Sequence, residues 1–135
     1  MASTFELEIV TPERKFFEGT VDRIVVRTLQ GDVGILKDHM LTVSPLAIGP
    51  ITIKQQGEKK IAVCAGGFIQ IKEDKTTIVT DSAEWANEID VERAKKALER
   101  AQKRLEHGDE DIDRKRAREA LRRAQSRINV VEQKE

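Results

Sequence analysis

The chain has 135 residues, of which 39% are hydrophobic and 36% are charged, which suits one domain, or one compact domain with an appendage. Acidic and basic residues number 24 each, so the net charge is zero and no overall field selects a partner. No stretch approaches the roughly 18 apolar residues of a membrane span, and the acidic N-terminus does not predict a signal peptide. The single cysteine, Cys64, excludes an internal disulfide, and its apolar neighbours predict a buried side chain.

The first 80 or so residues have the period of β-strands. Phe5, Leu7 and Ile9 alternate with polar residues, and a turn signal follows at Thr11-Pro12. Further segments rich in β-branched residues are 21–28, 51–53, 61–63, 68–71 and 76–79. Short strands at this spacing predict an antiparallel sandwich or barrel.

Glycines lie where turns or bulges are expected. Residues 56–58 predict a turn between two strands, and the pair Gly66-Gly67 interrupts a strand-like run. Residues 31–34 read Gly-Asp-Val-Gly and lack the lysine and the following helix of a phosphate-binding loop, so they also predict a turn.

After residue 86 the hydrophobic period becomes helical. One stripe consists of Val91, Ala94, Leu98, Ala101 and Leu105, and after a stop at Gly108 a second consists of Ala117, Leu121, Ala124, Ile128 and Val131. Two helices joined by about four residues predict an antiparallel hairpin. We therefore predict an α+β fold, with an antiparallel β-sandwich or barrel over residues 1–86 and a two-helix hairpin over residues 87–135; the sandwich is the form that the family resemblance described below implies.

Both helical stripes are rich in alanine. An alanine removes far less apolar area from water than a buried leucine, which contributes about 1.5–3 kcal/mol. We therefore expect a weakly held hairpin with a second arrangement available to it, which makes the hairpin a candidate switch.

The second helix is strongly basic. Among residues 114–127 Glu119 is the one acid, and the bases are Arg114, Lys115, Arg116, Arg118, Arg122, Arg123 and Arg127. These bases form either a solvated face favoured by the helix dipole, or a surface for an acidic protein, a nucleotide or a nucleic acid. Nucleic acid is the weakest of these partners, because no aromatic side chain lies nearby to stack on bases.

The sequence lacks the motifs of a nucleotide hydrolase. Neither G-x-x-x-x-G-K-[ST] nor G-x-G-x-x-G occurs. His39 and His107 lie near no cysteine, so they do not predict a zinc site. An autonomous ATPase would need a phosphate grip and a means of activating water, so we predict a non-catalytic protein.

Three segments resemble epsilon subunits of F-type ATP synthases. Residues 31–36, with His39 and residues 43–46, resemble the family's G-E-x-G-I-L-x-x-H-x-P-L-x-x-P-L, and residues 63–68 resemble its V-x-x-G-G-F. Val10-Thr11-Pro12 fits the family's opening, and the match runs from about residue 5 to the C-terminus. Where the family usually reads P-G-H-x-P-L, residues 37–42 read Lys-Asp-His-Met-Leu-Thr, a departure that bears on the contacts of this loop.

The resemblance implies a rotor subunit of a bacterial complex, peripheral on the cytoplasmic side of the cell membrane and touching the membrane only through the complex. Its sandwich is expected to rest on the gamma subunit and the c-ring, with Asp32 and His39 in the loop that faces the c-ring. An extended hairpin would restrain ATP hydrolysis by facing an acidic segment of the beta subunit with Arg114, Lys115, Arg116, Arg118, Arg122 and Arg123. The alternative is a small nucleic-acid-binding β-domain with a basic helical tail.

Residues 89–94, Ile-Asp-Val-Glu-Arg-Ala, resemble the I/L-D-x-x-R-A signature of bacterial epsilon subunits that bind ATP on the hairpin. Asp90 can cap the helix, Arg93 lies one turn on, and Arg100 lies two turns further on the same face. Arginines can hold phosphate oxygens, and a carboxylate such as Glu84 or Asp90 can accept from the base or ribose. By the family's pattern Ile89 and Ala94 contact the nucleotide, and Arg123 and Arg127 approach its phosphates.

These residues predict ATP, with or without Mg²⁺, as a regulatory ligand and no catalytic cofactor. The other interpretation leaves Asp90 as a helix cap and Arg93 and Arg100 as solvated side chains. Trp85 lies between Glu84 and the signature, so we expect its fluorescence to change when ATP binds.

Overall fold

A computed structural model describes residues 3–37, 41–107 and 111–134. The strands are β1 Phe5–Val10, β2 Lys15–Val21, β3 Arg23–Thr28, β4 Gly31–Ile35, β5 Thr42–Gln55, β6 Glu58–Ile71, β7 Thr76–Val79 and β8 Ala83–Trp85. A 3-10 turn over Ala86–Glu88 leads into the helices α1 Val91–His107 and α2 Asp111–Lys134. The α+β fold predicted from the change of hydrophobic period is confirmed.

The long hairpin of β5 and β6 takes part in both layers of the sandwich. Its turn is Gln56-Gly57, with φ angles of 51° and 81°, as predicted for residues 56–58. The later part of β6 pairs with β7, which continues through β1 to β2, whereas the earlier part pairs with β8. On the other side of the hairpin β5 pairs with β3, and β3 pairs with β4.

The pair Gly66-Gly67 allows β6 to pass from one layer to the other. Both residues have positive φ angles, 88° and 112°, and a Cβ on Gly67 would lie 2.0 Å from the carbonyl oxygen of Val79. The register of the β5–β6 pair is the same on both sides, with Leu46 opposite Gly67 and Ile48 opposite Ala65. The glycines therefore form a bend in a continuous strand.

Several strands differ from the prediction. The turn predicted at residues 31–34 is wrong, because this segment is strand β4, paired along its length with β3. Strands β2 and β8 were not predicted, and β1 pairs with β7 in parallel within an otherwise antiparallel arrangement of the described strands. Pairing with neighbours, rather than local propensity, determines these segments.

The core lies between the two layers. Its fully buried side chains include Leu7, Ile9, Ile24, Ile51, Ile53, Ile69 and Ile78. Cys64 is 2% exposed, as predicted, and burial raises the pKa of its thiol.

The two helices pack along the predicted alanine stripes. Ala94 and Ala101 of α1 are buried, as are Ala117 and Ala124 of α2, whereas the leucines of both stripes are half-buried. The hairpin also lies on the sandwich, through a small cluster in which Val130 of α2 packs with Val63, Ala86, Ile61 and Ile89. None of the described helices is both long enough and apolar enough to cross a membrane.

Candidate nucleotide-binding cleft

A cleft of about 540 Å³ lies where the helical hairpin meets β8 and the turn between β1 and β2. Its lining contains most of the residues predicted to bind ATP, namely Glu84, Ile89, Asp90, Arg93, Ala94, Arg100 and Arg127. The lining also contains residues that the sequence did not indicate, namely Glu13, Ser82, Ala83, Glu88 and Ala97. Residues from the sandwich, α1 and α2 therefore converge on one concave surface.

Helix α1 contributes the wall that carries the signature. Asp90 caps the helix as predicted, because its Oδ1 accepts a hydrogen bond of 3.1 Å from the backbone N–H of Arg93. Arg93 and Arg100 are exposed and lie two turns apart on this wall. The small side chains Ala94 and Ala97 lie on the same wall and leave it open.

An ion pair joins the sandwich to α2 across the cleft. Arg127 Nε donates a hydrogen bond of 2.6 Å to Glu84 Oε1, and the two side chains are 30% and 37% exposed. Arg127, predicted to approach the phosphates, and Glu84, predicted to accept from the base or ribose, are therefore bonded to each other in this structure.

Arg123, one turn before Arg127, lies beyond the edge of the cleft. It lines a void of about 10 Å³ with Glu84 and Arg127, and a furrow of about 690 Å³ that runs between α2 and the sandwich. Ser82 borders the cleft, the void and the furrow, so all three spaces lie beside the same residue. Arg123 borders the void and the furrow but not the cleft, so it can approach a ligand in the cleft only from the side of the furrow.

The lining brings three arginines together with four carboxylates, so it offers partners both to anionic groups and to hydrogen-bond donors. Arginines bind phosphate oxygens with a planar fork of N–H groups, and carboxylates accept hydrogen bonds from amino and hydroxyl groups. The cleft holds Arg93, Arg100 and Arg127 together with the carboxylates of Glu13, Glu84, Glu88 and Asp90. The residues present therefore fit a nucleotide whose phosphates meet the arginines.

Trp85 does not line this cleft. Its ring stacks on Phe16, with centroids 4.5 Å apart, and meets Phe17 edge-on at 6.0 Å. Successive side chains of a strand point to opposite faces, so Trp85 points into the sandwich when Glu84 points toward the hairpin. We therefore expect a smaller fluorescence change on ligand binding than the sequence suggested.

The predicted basic face covers two sides of α2. At about 100° per residue, Arg114, Lys115, Arg118 and Arg122 fall within an arc of roughly 100°, and all four are exposed. Arg116 and Arg123 lie on the other side of the helix. The larger group forms an exposed cationic surface, whereas Arg123 is half-buried beside the sandwich.

The residues predicted to face the c-ring are described in part. Asp32 lies in strand β4 rather than in a loop, and its Oδ1 accepts a hydrogen bond of 2.9 Å from Arg27 Nε. His39 lies outside the described residues. Strand pairing between β3 and β4 explains the difference, since Arg27 and Asp32 are directly opposite each other.

An apolar row crosses the outer face of the layer that contains β1. Cross-strand partners share a face, and the pairs Pro45–Phe68, Phe68–Val79 and Val79–Val10 link four strands. Phe68 is 42% exposed, Val79 is 36% exposed, and the nearby Val43 is 65% exposed. A continuous exposed row of this kind is typical of a surface that another protein covers.

Comparison with known proteins agrees with this architecture. Residues 4–86 match the family described as ATP synthase, Delta/Epsilon chain, beta-sandwich domain, and residues 87–132 match its long alpha-helix domain. The chain therefore belongs to the delta/epsilon chain family of ATP synthases.

Its similar relatives narrow the class. It is 57% identical over 106 residues to the ATP synthase epsilon chain of Alkaliphilus metalliredigens, a match that covers 78% of this chain and 79% of the relative. It is 51% identical over 105 residues to that of Alkaliphilus oremlandii, with 78% of each chain covered. The chain is an epsilon subunit of ATP synthase, as the resemblance predicted.

Solved structures agree on the fold. A chain from the Euglena gracilis mitochondrial ATP synthase, solved with OSCP, F1 and the c-ring, superposes with a TM-score of 0.83 at 28% identity, covering 92% of this chain and 79% of that one. A chain from the central stalk and c-ring structure of the Tetrahymena thermophila enzyme gives 0.64 at 17% identity, covering 94% and 96%, and supports the fold alone.

Proposed function

We propose that this epsilon subunit is a non-catalytic component of the central stalk, whose hairpin restrains ATP hydrolysis when extended and binds ATP when folded. It lies at the periphery of a bacterial cell membrane, on the cytoplasmic side, and reaches the membrane only through the complex. Its family membership and the convergence of the signature residues on one cleft support this proposal.

The apolar row of Pro45, Phe68, Val79 and Val10 is the proposed docking surface for the gamma subunit. Exposed apolar side chains cost free energy in water, and an interface that covers them recovers about 25 cal/mol per Å². The strand that carries Asp32 belongs to the other layer, which leaves it free to contact the c-ring.

The nucleotide site is the cleft described above. Arg93, Arg100 and Arg127 hold the phosphates, with Arg123 at the furrow end, and Glu84 or Asp90 accepts from the base or ribose. Arg127 exchanges its bond to Glu84 for a phosphate when ATP enters, so the ligand competes with an internal ion pair. ATP then connects α1 to α2 and stabilises the folded hairpin by mass action.

The inhibitory state uses the exposed bases of α2. Arg114, Lys115, Arg118 and Arg122 form a cationic surface that suits an acidic segment of the beta subunit. Arg116 and Arg123, the other two bases predicted for this face, lie on the other side of the helix, so they take part only if the acidic partner surrounds α2 after the hairpin leaves the sandwich. The same helix therefore supplies arginines to ATP in one state and to the catalytic head in the other.

A calorimetric titration of the intact chain with ATP tests the nucleotide site. We compare Arg93→Ala with Arg104→Ala, because both arginines are exposed on α1 and Arg104 does not line the cleft. Losing a hydrogen bond to a charged group costs about 1.5–3 kcal/mol, so Arg93→Ala should weaken binding about tenfold to a hundredfold. Arg104→Ala should bind like the unaltered chain.

ADP should bind less tightly than ATP, because it lacks the terminal phosphate that the arginines share. ATP should also raise the melting temperature of the intact chain. A titration that stays flat at millimolar ATP, with an unchanged melting temperature, would contradict the sensor and leave only the mechanical role.

A further inference from the structure

The side of α2 that faces the sandwich is almost entirely polar. At about 100° per residue Glu119, Arg123, Ser126 and Val130 fall within an arc of roughly 60°. Glu119 and Arg123 line the furrow opposite Leu46, whereas Val130 packs directly on the sandwich. One apolar side chain of this arc therefore seats the helix.

Ser126 is the anomaly within this arc. Its side chain is only 7% exposed, and its Oγ has no hydrogen-bond partner in the part of the chain that the structure describes. A serine within a helix normally points to solvent or bonds to the carbonyl of residue i−4. Burying a hydroxyl without a hydrogen-bond partner costs free energy, so it works against docking of the helix surface that carries the hydroxyl.

The burial of Ser126 coincides with docking of the hairpin. Ser126 lies one turn before Val130 and next to Arg127, the residues that connect α2 to the sandwich. A hairpin that leaves the sandwich exposes the hydroxyl to water, where it is fully hydrogen-bonded. The unpartnered state is thus confined to the folded arrangement.

We propose that Ser126 destabilises the docked hairpin and thereby sets the ATP concentration at which the subunit releases its restraint on hydrolysis. This inference rests on the proposed function. The apparent dissociation constant of a ligand equals its intrinsic value divided by the fraction of protein in the binding-competent state. A side chain that lowers the docked fraction therefore raises the ATP concentration needed to fill the cleft.

Ser126→Ala in the reassembled ATP synthase tests the proposal. The control is Asn129→Ala, because Asn129 is exposed on the same helix and asparagine and serine have similar helix propensities. Removing the hydroxyl should lower the ATP concentration for half-release by about fivefold to a hundredfold, the range expected for an unpartnered buried polar group. Asn129→Ala should change it by less than about twofold, within the helix propensity difference.

A release concentration that stays unchanged in Ser126→Ala, or that falls equally in both variants, would overturn the proposal. Equal shifts would mean that helix propensity, and not the hydroxyl, is responsible.

Hydrogen exchange of the intact isolated chain without ATP separates this inference from the nucleotide site. Ser126→Ala should slow amide exchange in α2 by a similar factor, since it stabilises docking whether or not ATP binds. Ser126→Thr keeps the hydroxyl and should not slow exchange. If the chain binds no ATP but Ser126→Ala still slows exchange, the sensor fails and the role of Ser126 stands. If ATP binds and exchange is unaffected, the role of Ser126 is wrong.

Discussion

The ion pair between Glu84 and Arg127 should stabilise the docked hairpin in the absence of ATP. Its bond of 2.6 Å connects β8 to α2, and the small cluster around Val130 separately packs α2 on β6 and on the 3-10 turn that follows β8. We would replace Glu84 and Arg127 by glutamine, singly and together, which removes each charge and leaves a polar amide; Glu84→Gln keeps the shape of the side chain, whereas Arg127→Gln also shortens it.

The expected magnitude follows from the exposure of the pair. Hydrogen bonds to charged groups contribute about 1.5–3 kcal/mol, whereas ion pairs in full contact with water contribute about 0.2–1 kcal/mol. Because the two side chains are 37% and 30% exposed, we expect a coupling free energy of about 1 kcal/mol. That value corresponds to about a fivefold change in the ratio of docked to undocked hairpin.

A double-mutant cycle measured by hydrogen exchange of α2 supplies the assay. The control pair is Glu99–Lys103, which lies within α1, has a separation of 3.4 Å and is about two thirds exposed, at 65% and 67%. It should couple by about 0.3 kcal/mol, as solvated helix pairs do. A Glu84–Arg127 coupling no larger than that of the control would refute the idea that this bond holds the hairpin down.

Three further predictions concern the sandwich. Gly67→Ala should lower the free energy of unfolding in urea by about 1–3 kcal/mol more than the control Gly31→Ala. The two glycines have similar positive φ angles, but only at Gly67 would the added Cβ lie 2.0 Å from a backbone carbonyl oxygen. Burial raises the pKa of the Cys64 thiol, so stability should fall as pH rises above about 8.5, and Cys64→Ala should remove that slope. The hydrogen bond from Lys15 lowers the pKa of Glu8, so the contribution of the Glu8 carboxylate to folding stability should be complete above about pH 4.3 and should disappear in more acidic solution. In acid titrations of stability, Glu8→Gln should lack this loss.

The hydrophobic period of the sequence was sufficient to predict the strands and helices that bury one regular stripe of side chains. The alternation of Phe5, Leu7 and Ile9 predicted β1, and the alanine stripes predicted both helices. Strand β4 was not predicted because its sequence, Gly-Asp-Val-Gly-Ile, has weak strand propensity. Pairing with β3 stabilises this segment as a strand. Strand β8 has three residues, too few to show a period.

A short motif and the family pattern were sufficient to predict part of the lining of the cleft. The cap by Asp90 follows from local helix chemistry, and the structure places Arg93, Arg100 and Arg127 on the same cleft. The bond between Glu84 and Arg127 was not predicted, because it depends on how α2 lies on the sandwich.

The contact of α2 with the sandwich was the least predictable feature. The apolar stripe of α2 that is visible in the sequence predicts packing against α1, and it does not predict a second contact with the sandwich. Val130 and Ser126 lie outside that stripe, and their burial follows only from a second packing surface. Glu13 enters the cleft from a turn more than 70 residues away from the signature in sequence, which no local pattern reveals.

The most direct test of the restraint is ATP hydrolysis by the enzyme reassembled with the full chain or with a chain that ends after Asn87. With the full chain, hydrolysis should be slow at low ATP and should rise disproportionately once ATP fills the cleft. With the shortened chain, which keeps the sandwich and lacks both helices, hydrolysis should be fast at both low and high ATP. Equal rates for the two enzymes at every ATP concentration would contradict the proposal that this hairpin is an ATP-sensitive brake.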